Sequence, residues 1–399
     1  MKIVKELMRL RKKKFYSFTT ACLSLLDESN RINEILKKKN IQVNDPEDAD
    51  FILVTTCAVS RDSAQNSIKN ILRLNNINRK ATIYVGGCLS NAKEREILFK
   101  KRKIKFFTAN DIFQEIKKVN YSCEQTTTRC NPFWLSGMKN KIEKLEKLKK
   151  QDFSLALFYS FTTDGIVFSK MPFGFDTIRI SKGCSKRCSY CAIPNNRGKY
   201  LEQSLEFVKD QINSSKNEYI LLIGENIGCH KNLNEILEYA IKKNKKIILR
   251  YLEPEWVRKI KSIYLKNIVY IGVPLQSGSR KVLKDMQRPL NIGEVRKKFK
   301  EWNKKGVFTG TSVILSYPTE NFFDYLKTIF LVIFTPTNYT SFQNFSPREN
   351  SPAFEKYKNW DSHSLKNNLK FWVFDKIISI KGKVGYIKFK VRRNKYGPI

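Results

Sequence analysis

The stretch Ile180-Ser-Lys-Gly-Cys184-Ser-Lys-Arg-Cys188-Ser-Tyr190-Cys191-Ala-Ile-Pro194 constrains this chain more than any other. Its three cysteines follow a strand-like run and are spaced by three and then two residues. A loop of this kind wraps three thiolates around three corners of a 4Fe–4S cube and leaves the fourth iron without a protein ligand. A structural zinc loop is the competing use of such cysteines, but zinc needs a fourth ligand and the sequence offers none nearby. The three cysteines are therefore expected on a loop at the C-terminal end of a strand, with the open iron facing a small molecule.

The remaining composition fits a reducing environment. The chain has nine Cys and only two His, His230 and His363. The basic N-terminus is followed by no apolar stretch or cleavage site, so a cytoplasmic protein is expected. In that compartment the cysteines read as metal ligands or buried thiols, not disulfides. The most apolar run, Phe322 to Thr337, is broken by Asp324 and Lys327 and is too short to span a bilayer, so no membrane partner is expected. The formal charge of +38, from 75 Lys+Arg against 37 Asp+Glu, suits a polyanion partner such as RNA. A Lys-, Asn- and Ile-rich composition of the kind an AT-rich genome encodes would raise the charge as well, so both readings stand.

A length of 399 residues with 41% hydrophobic content allows two or three globular domains. An α/β class is predicted, with two blocks of alternating strand and helix patterns. The first, residues 1–118, has strands at Phe15 to Thr20, Phe51 to Thr55 and Thr82 to Val85, and helices at Glu28 to Lys39 and Ser60 to Leu74. It reads as an open parallel sheet. Residues 119–173 read as a connector, with a charged helical run at Lys139 to Gln151. Residues 174–354 hold six strand candidates: Asp176 to Ser181, Tyr219 to Gly224, Lys246 to Tyr251, Asn267 to Val273, Val307 to Leu315 and Tyr339 to Phe345. Helical patterns at Leu201 to Asn213, Leu233 to Lys243 and Gly293 to Lys304 separate several of them. Together they suit an incomplete (β/α)6 barrel with its site at the C-terminal strand ends. Residues 355–399 form a short basic tail, in which Lys376 to Arg393 alternates like one or two strands.

Cys22, Cys57 and Cys88 are far apart in sequence, but each follows a strand of the first block. The carboxyl ends of parallel strands share one edge, so these thiols can converge on one ion or cluster. Three separately buried thiols are the simpler alternative. Cys123, Cys130 and Cys229 read as structural.

An N-terminal three-cysteine α/β domain followed by a C-x3-C-x2-C barrel resembles the radical AdoMet methylthiotransferases. The resemblance runs to about Phe354. It includes Gly198 after Arg197, Leu222-Ile-Gly-Glu-Asn-Ile227, Leu252-Glu253-Pro254, Pro274-Leu-Gln-Ser-Gly-Ser279, Met286-Gln-Arg288 and Ser346-Pro-Arg-Glu-Asn-Ser-Pro352. It implies a 4Fe–4S cluster on Cys184, Cys188 and Cys191 that passes an electron to AdoMet and yields a 5′-deoxyadenosyl radical. It also implies a second 4Fe–4S cluster on Cys22, Cys57 and Cys88 that holds the sulfur to be inserted. Tyr190, Ala192 and Ile193 would lie beside the adenine of AdoMet. Gly224, Glu225 and Asn226 would meet its methionine end, and Gln276 and Ser277 would face the same mouth. A reducing electron donor and a sulfur donor are implied as partners.

Four departures stand out. Ala21 replaces the usual Gly before the first auxiliary Cys, and Thr55-Thr56-Cys57 replaces Asn-Thr-Cys. The fifth-strand pattern Asp-x-x-x-Gly-Phe-Pro-Gly-Glu reads Ser312, Ser316, Tyr317, Pro318, Thr319 and Glu320, losing two residues free to adopt positive φ. Too few residues follow Pro352 for the small RNA-binding barrel common in the tRNA-modifying members; the basic tail would be a truncated remnant or a solvated face. The Gly-Glu-Asn-Ile-Gly, Leu-Glu-Pro and Gln-Ser-Gly-Ser stretches resemble the branch that modifies N6-threonylcarbamoyladenosine at tRNA position 37, beside the anticodon. The isopentenyladenosine branch, a branch acting on a ribosomal-protein aspartate, and an inactive RNA-binding paralogue are the alternatives.

Overall fold

The computed structural model describes residues 2–20, 23–58, 61–98, 103–116, 129–130, 175–362 and 364–396. Two all-parallel sheets dominate them.

The first sheet contains β1 (Lys14–Thr19), β2 (Ile41–Gln42), β3 (Phe51–Thr56), β4 (Thr82–Gly87), β5 (Ile104–Phe106) and β6 (Arg129–Cys130). Its order is β2-β1-β3-β4-β5, and β6 pairs with β1. Central strand β3 is a continuous apolar run because it is buried on both faces. Phe51 and Leu53 face a layer made by α1 (Lys2–Arg9), α2 (Leu23–Lys37) and α4 (Ala109–Ile116), through Val4, Leu7, Ile32, Leu36, Ile112 and Ile116. Ile52 and Val54 face the other way, onto Ala64, Ile71 and Leu74 of α3 (Arg61–Ile77). Helix α1 was not legible in the sequence; two buried residues, Val4 and Leu7, hold it.

The second sheet contains β7 (Phe175–Arg179), β10 (Tyr219–Ile223), β11 (Lys246–Leu249), β12 (Ile268–Gly272), β13 (Phe308–Leu315) and β14 (Tyr339–Asn344). They neighbour one another in chain order, β7 at one edge and β14 at the other. Sequential parallel order with right-handed crossovers wraps a sheet toward a barrel, and the two edge strands leave it incomplete. A short antiparallel pair, β8 (Ser181–Lys182) with β9 (Leu201–Glu202), stands beyond the end of β7. The helices are α5 (Ile193–Arg197), α6 (Leu205–Ser214), α7 (Leu233–Lys242), α8 (Arg280–Asp285), α9 (Ile292–Lys304), α10 (Phe322–Phe334), α11 (Phe354–Tyr357) and α12 (Leu365–Tyr396).

The strands predicted in the two blocks are present, with ends shifted by a residue or two. The helix read as Leu201 to Asn213 is instead β9 followed by α6. Ser204 makes the break: its hydroxyl accepts from Phe207 N–H at 3.3 Å and caps α6. The apolar run from Phe322 forms α10, opened by a capping box between Asn321 and Asp324. Among the described residues no helix is long and apolar enough to cross a membrane.

The tail corrects the strand reading: Leu365–Tyr396 is one helix, α12. In a strand Ile378 and Ile380 would share a face. Here Ile378 is 8% exposed and Ile380 67%. Phe374 and Ile378, four apart, pack on Val313, Leu315, Tyr325, Ile329 and Val332. Lys381 donates to the Thr335 carbonyl at 2.9 Å and to Thr337 Oγ1 at 2.8 Å. Contacts to β13, β14 and α10 thus override a β-branched local pattern. The charged run Lys139 to Gln151 lies outside the described residues; of the expected connector, Arg129–Cys130 join the first sheet beside β1.

Candidate active site

The loop bearing Cys184, Cys188 and Cys191 leaves β8, turns through α5 and returns as β9, so the hairpin closes its base. Gly183 makes this closure possible. It sits at φ +76°, and a Cβ there would stand 2.8 Å from the carbonyl oxygens of Gly198 and Lys199. Cys188 is buried, and Cys184 and Cys191 are half-buried; none is in a disulfide. Donors point at all three sulfurs. Lys186 N–H reaches Cys184 Sγ at 3.4 Å, Asn226 Nδ2 stands 3.9 Å from the same sulfur, and Arg288 Nη1 reaches Cys188 Sγ at 3.6 Å. The Ile193 N–H serves Cys191.

This donor set fits an iron–sulfur cluster. Burial pushes the Cys184 thiol up to about 12 and raises Cys191 as well, so a thiolate here needs a cationic partner. Among the described residues no three His, Cys, Asp or Glu groups are gathered tightly enough for one metal ion. A cube spreads its thiolates over separate irons, so it does not require them to meet at one ion. Asn226 Oδ1, on the side chain beside Cys184, is buried with no hydrogen-bond partner among the described residues, which leaves an acceptor for a bound ligand.

The other expected contacts divide. Tyr190 packs beside Met286 and Tyr317, and Ala192 is the buried N-cap of α5. Gly224 lies against the Ser181 hydroxyl, with no room for a Cβ. Glu225 reaches the cluster loop, but the chain already engages its carboxylate: it accepts from Gly183 N–H at 2.7 Å and pairs with Arg197 Nε at 3.3 Å. Gln276 adopts φ 68° and its carbonyl accepts from Ile314 N–H at 2.8 Å. Ser277 turns away from the mouth. Its hydroxyl lies 3.2 Å from Thr328 Oγ1 on α10 and accepts from Ser279 N–H, which makes it a turn anchor.

Arg288 and Glu253 were not assigned roles from the sequence. Arg288 Nη2 pairs with Glu253 Oε2 at 2.5 Å and donates to the Pro274 carbonyl at 2.7 Å, which aims its other nitrogen at Cys188. Burial pushes the Glu253 carboxyl up despite the guanidinium. Only the Leu252-Glu253-Pro254 and Met286-Gln-Arg288 strings hinted at this. Cys229 also lies nearer the loop than expected, 3.2 Å from the Ser185 hydroxyl. The departure at Ser316 is accommodated: it adopts φ 56°, its N–H donating to Glu320 Oε1 at 3.2 Å.

Cys57 and Cys88 follow β3 and β4 directly, and in-register pairing of Thr56 with Gly87 places them side by side. Cys57 N–H donates to Thr20 Oγ1 at 3.3 Å, which draws the end of β1 to the same edge. Cys22, just beyond Thr20, and Cys123 lie outside the described residues. Gly87 sits at φ +87° against the Thr56 backbone. Gly87→Ala is therefore expected to cost about 1–3 kcal/mol of local strain and to loosen the Cys88 turn. Iron retained per chain after reconstitution measures this; parent-like retention and stability would refute it.

Residues 14–109 match the uncharacterised protein family UPF0004, and residues 178–332 match the Radical SAM superfamily. A ribosomal protein uS12 methylthiotransferase of Clostridium novyi is 28% identical over 332 residues, covering 76% of this chain and 70% of that protein. A tRNA-2-methylthio-N(6)-dimethylallyladenosine synthase of Petrotoga mobilis is 27% identical over 385 residues, covering 87% and 79%. The radical S-adenosylmethionine methyltransferase TsrM of Kitasatospora setae shares the fold with a TM-score of 0.54 at 9% identity, over 87% of this chain and 78% of that one. The matched domain pair and these relatives support the radical SAM methylthiotransferase family, with AdoMet and a 4Fe–4S cluster as implied cofactors.

Proposed function

We propose, with the radical SAM methylthiotransferase family as premise, that this chain inserts a methylthio group at C2 of N6-threonylcarbamoyladenosine at position 37 of tRNA. The observation that carries the two-site reading is the approach of the Cys57/Cys88 edge to the helix that follows Cys191. Asn196 of that helix accepts through its carbonyl from Asn91 Nδ2, in the turn after Cys88, at 2.9 Å. Cys184, Cys188 and Cys191 would hold a 4Fe–4S cluster, which would supply the electron for AdoMet cleavage, and Cys57 and Cys88, with Cys22, would hold a second, which would supply the sulfur. The chain's own groups do the rest. Arg288 holds Cys188 by a charged donor, and Asn226 Oδ1 is free to accept from an amino group of AdoMet. A cleft of about 1270 Å³ lies between the first domain (Ile68, Glu94) and the barrel end (Phe342, Arg348, Trp360, Phe371). Its aromatic lining suits an unstacked base, and the net charge of +38 supports an RNA substrate.

The uS12 aspartate is the second reading, favoured by the name of the Clostridium novyi relative and the Gly87-Cys88-Leu89-Ser90 string. Expression in a host lacking its own tRNA methylthiotransferases and its uS12 methylthiotransferase tests both. Digested tRNA nucleosides and intact uS12 are weighed by mass spectrometry. A methylthio-threonylcarbamoyladenosine peak is expected; methylthio-isopentenyladenosine would move the substrate to that branch, and a heavier uS12 would move it to protein. AdoMet cleavage without any product in either pool would refute both.

A further inference from the structure

Directly after Cys191, the five-residue helix α5 ends on two adjacent side chains that reach in different directions across the molecule. Asn196 and Arg197 are each only 2% exposed. Asn196 faces the turn that follows Cys88. Its carbonyl accepts from Asn91 Nδ2 at 2.9 Å, and its Oδ1 accepts from Asn350 Nδ2 at 3.0 Å. The same Asn350 amide donates to the Asn91 carbonyl at 2.6 Å, and Asn195 Nδ2 donates to the Asn350 carbonyl at 2.6 Å. Asn350 holds φ 63°, a conformation Asn tolerates better than other side-chain-bearing residues. Three loops thus meet on one amide cluster: the turn after Cys88, the helix after Cys191 and the loop after β14.

Arg197 faces α2, which follows Cys22 in sequence. Its Nη2 donates to Glu28 Oε2 at 2.7 Å and its Nε pairs with Glu225 Oε1 at 3.3 Å. Glu225 in turn accepts from the N–H of Gly183, the residue before Cys184. The guanidinium therefore ties both ends of the radical-cluster loop to the first domain. The hydrogen bonds and ion pairs given above all run to oxygen atoms, so these groups act on the chemistry through placement.

We propose that Asn196 and Arg197, with Asn91 and Asn350, are positioning residues that set the separation between the Cys57/Cys88 edge and the Cys184/Cys188/Cys191 loop. This rests on the two-cluster reading above. Fixing that gap matters because a radical made at one site must be spent on a carbon presented to sulfur at the other. Misplacement of reacting groups by about an ångström costs on the order of 100-fold in rate. Losing the pin leaves each site intact but uncouples them.

Asn350→Gly tests this cleanly, because glycine keeps the positive φ and removes only the bridging amide. Arg197→Lys is the companion, keeping the charge but losing the fork that spans Glu28 and Glu225. Both are compared with the parent after anaerobic reconstitution, by iron content, 5′-deoxyadenosine formed per methylthio product, and the magnetic interaction between reduced clusters in electron paramagnetic resonance. The expected result is parent-like iron and AdoMet cleavage, a rise on the order of tenfold in deoxyadenosine per product, and a weakened or broadened intercluster interaction. An unchanged ratio and interaction in both variants would overturn the proposal. So would parallel loss of iron and cleavage in both, which marks a purely structural role. A parent protein that binds one cluster, about four irons, overturns the two-cluster reading itself and is recognised before any variant is compared.

Discussion

Cys188→Ala is expected to reduce 5′-deoxyadenosine formation to background, whereas Cys57→Ala keeps AdoMet cleavage near the parent rate and abolishes methylthio product. The two thiols sit on different sheets, one in the loop closed by β8 and β9, the other at the end of β3. Cys188 is the buried member of its loop and the one that Arg288 addresses. Removing it leaves Arg288 facing an alanine and a cluster short of one of three ligands. Cys57 contributes its backbone to the Thr20–Ser67 hydroxyl network, Ser67 Oγ donating to its carbonyl at 2.7 Å. That backbone role survives the alanine change, so the sheet edge is retained while the thiolate is lost. Deoxyadenosine and methylthio nucleoside are quantified in the same reaction. Methylthio product from Cys57→Ala would refute the auxiliary assignment, and cleavage by Cys188→Ala would refute the radical-site assignment.

Asp27→Asn is expected to destabilise the chain by about 3–5 kcal/mol, because it leaves two buried guanidinium groups without their counter-charge. Asp27 lies between Arg31 Nε at 3.1 Å and Arg179 Nε at 2.7 Å, and these side chains are no more than 1% exposed. Thr177 Oγ1 donates to the same carboxylate at 2.8 Å. The group joins α2 to the first strand of the barrel, so its loss loosens the contact between the two domains. Burial pushes the Asp27 carboxyl up, but Arg31 and Arg179 outweigh it and hold it below the ordinary 3.8. A depressed carboxylate stabilises fully above its unfolded value and loses that contribution as pH falls through the folded one. The parent should therefore be insensitive to this group from neutral pH down to about pH 4 and lose its contribution below that. Urea midpoints of parent and variant at pH 7, and along an acid series, measure both effects. Equal midpoints at pH 7 would sink the assignment.

The cysteine loop was legible because everything it needs is local. Ligand spacing, the preceding strand and Gly183 lie within one short stretch, and the period of the flanking strands placed it at a sheet edge. The apolar run from Phe51 to Thr55, followed by a helix pattern, likewise announced a strand of an open α/β sheet. Cys57 and Cys88 were placed by the same logic, since strand ends in a parallel sheet share an edge whatever the intervening sequence. The helix α12 was not legible: apolar residues from Ile378 onward fit either period, and only packing on β13 and α10 decided between them. Nor were the partners of Glu225, Ser277 and Asn350. Glu225 looked like a ligand residue by position, but the chain brings Arg197 and Gly183 to it from other loops. Sequence alone determined which atoms this protein brings to its chemistry, because ligand type and local spacing are properties of short segments. Tertiary structure decided how those atoms are held and how far apart the two thiol sites stand. Hydrogen bonds and ion pairs between residues such as Glu28 and Arg197, or Asn91 and Asn350, exist only after the two sheets have docked.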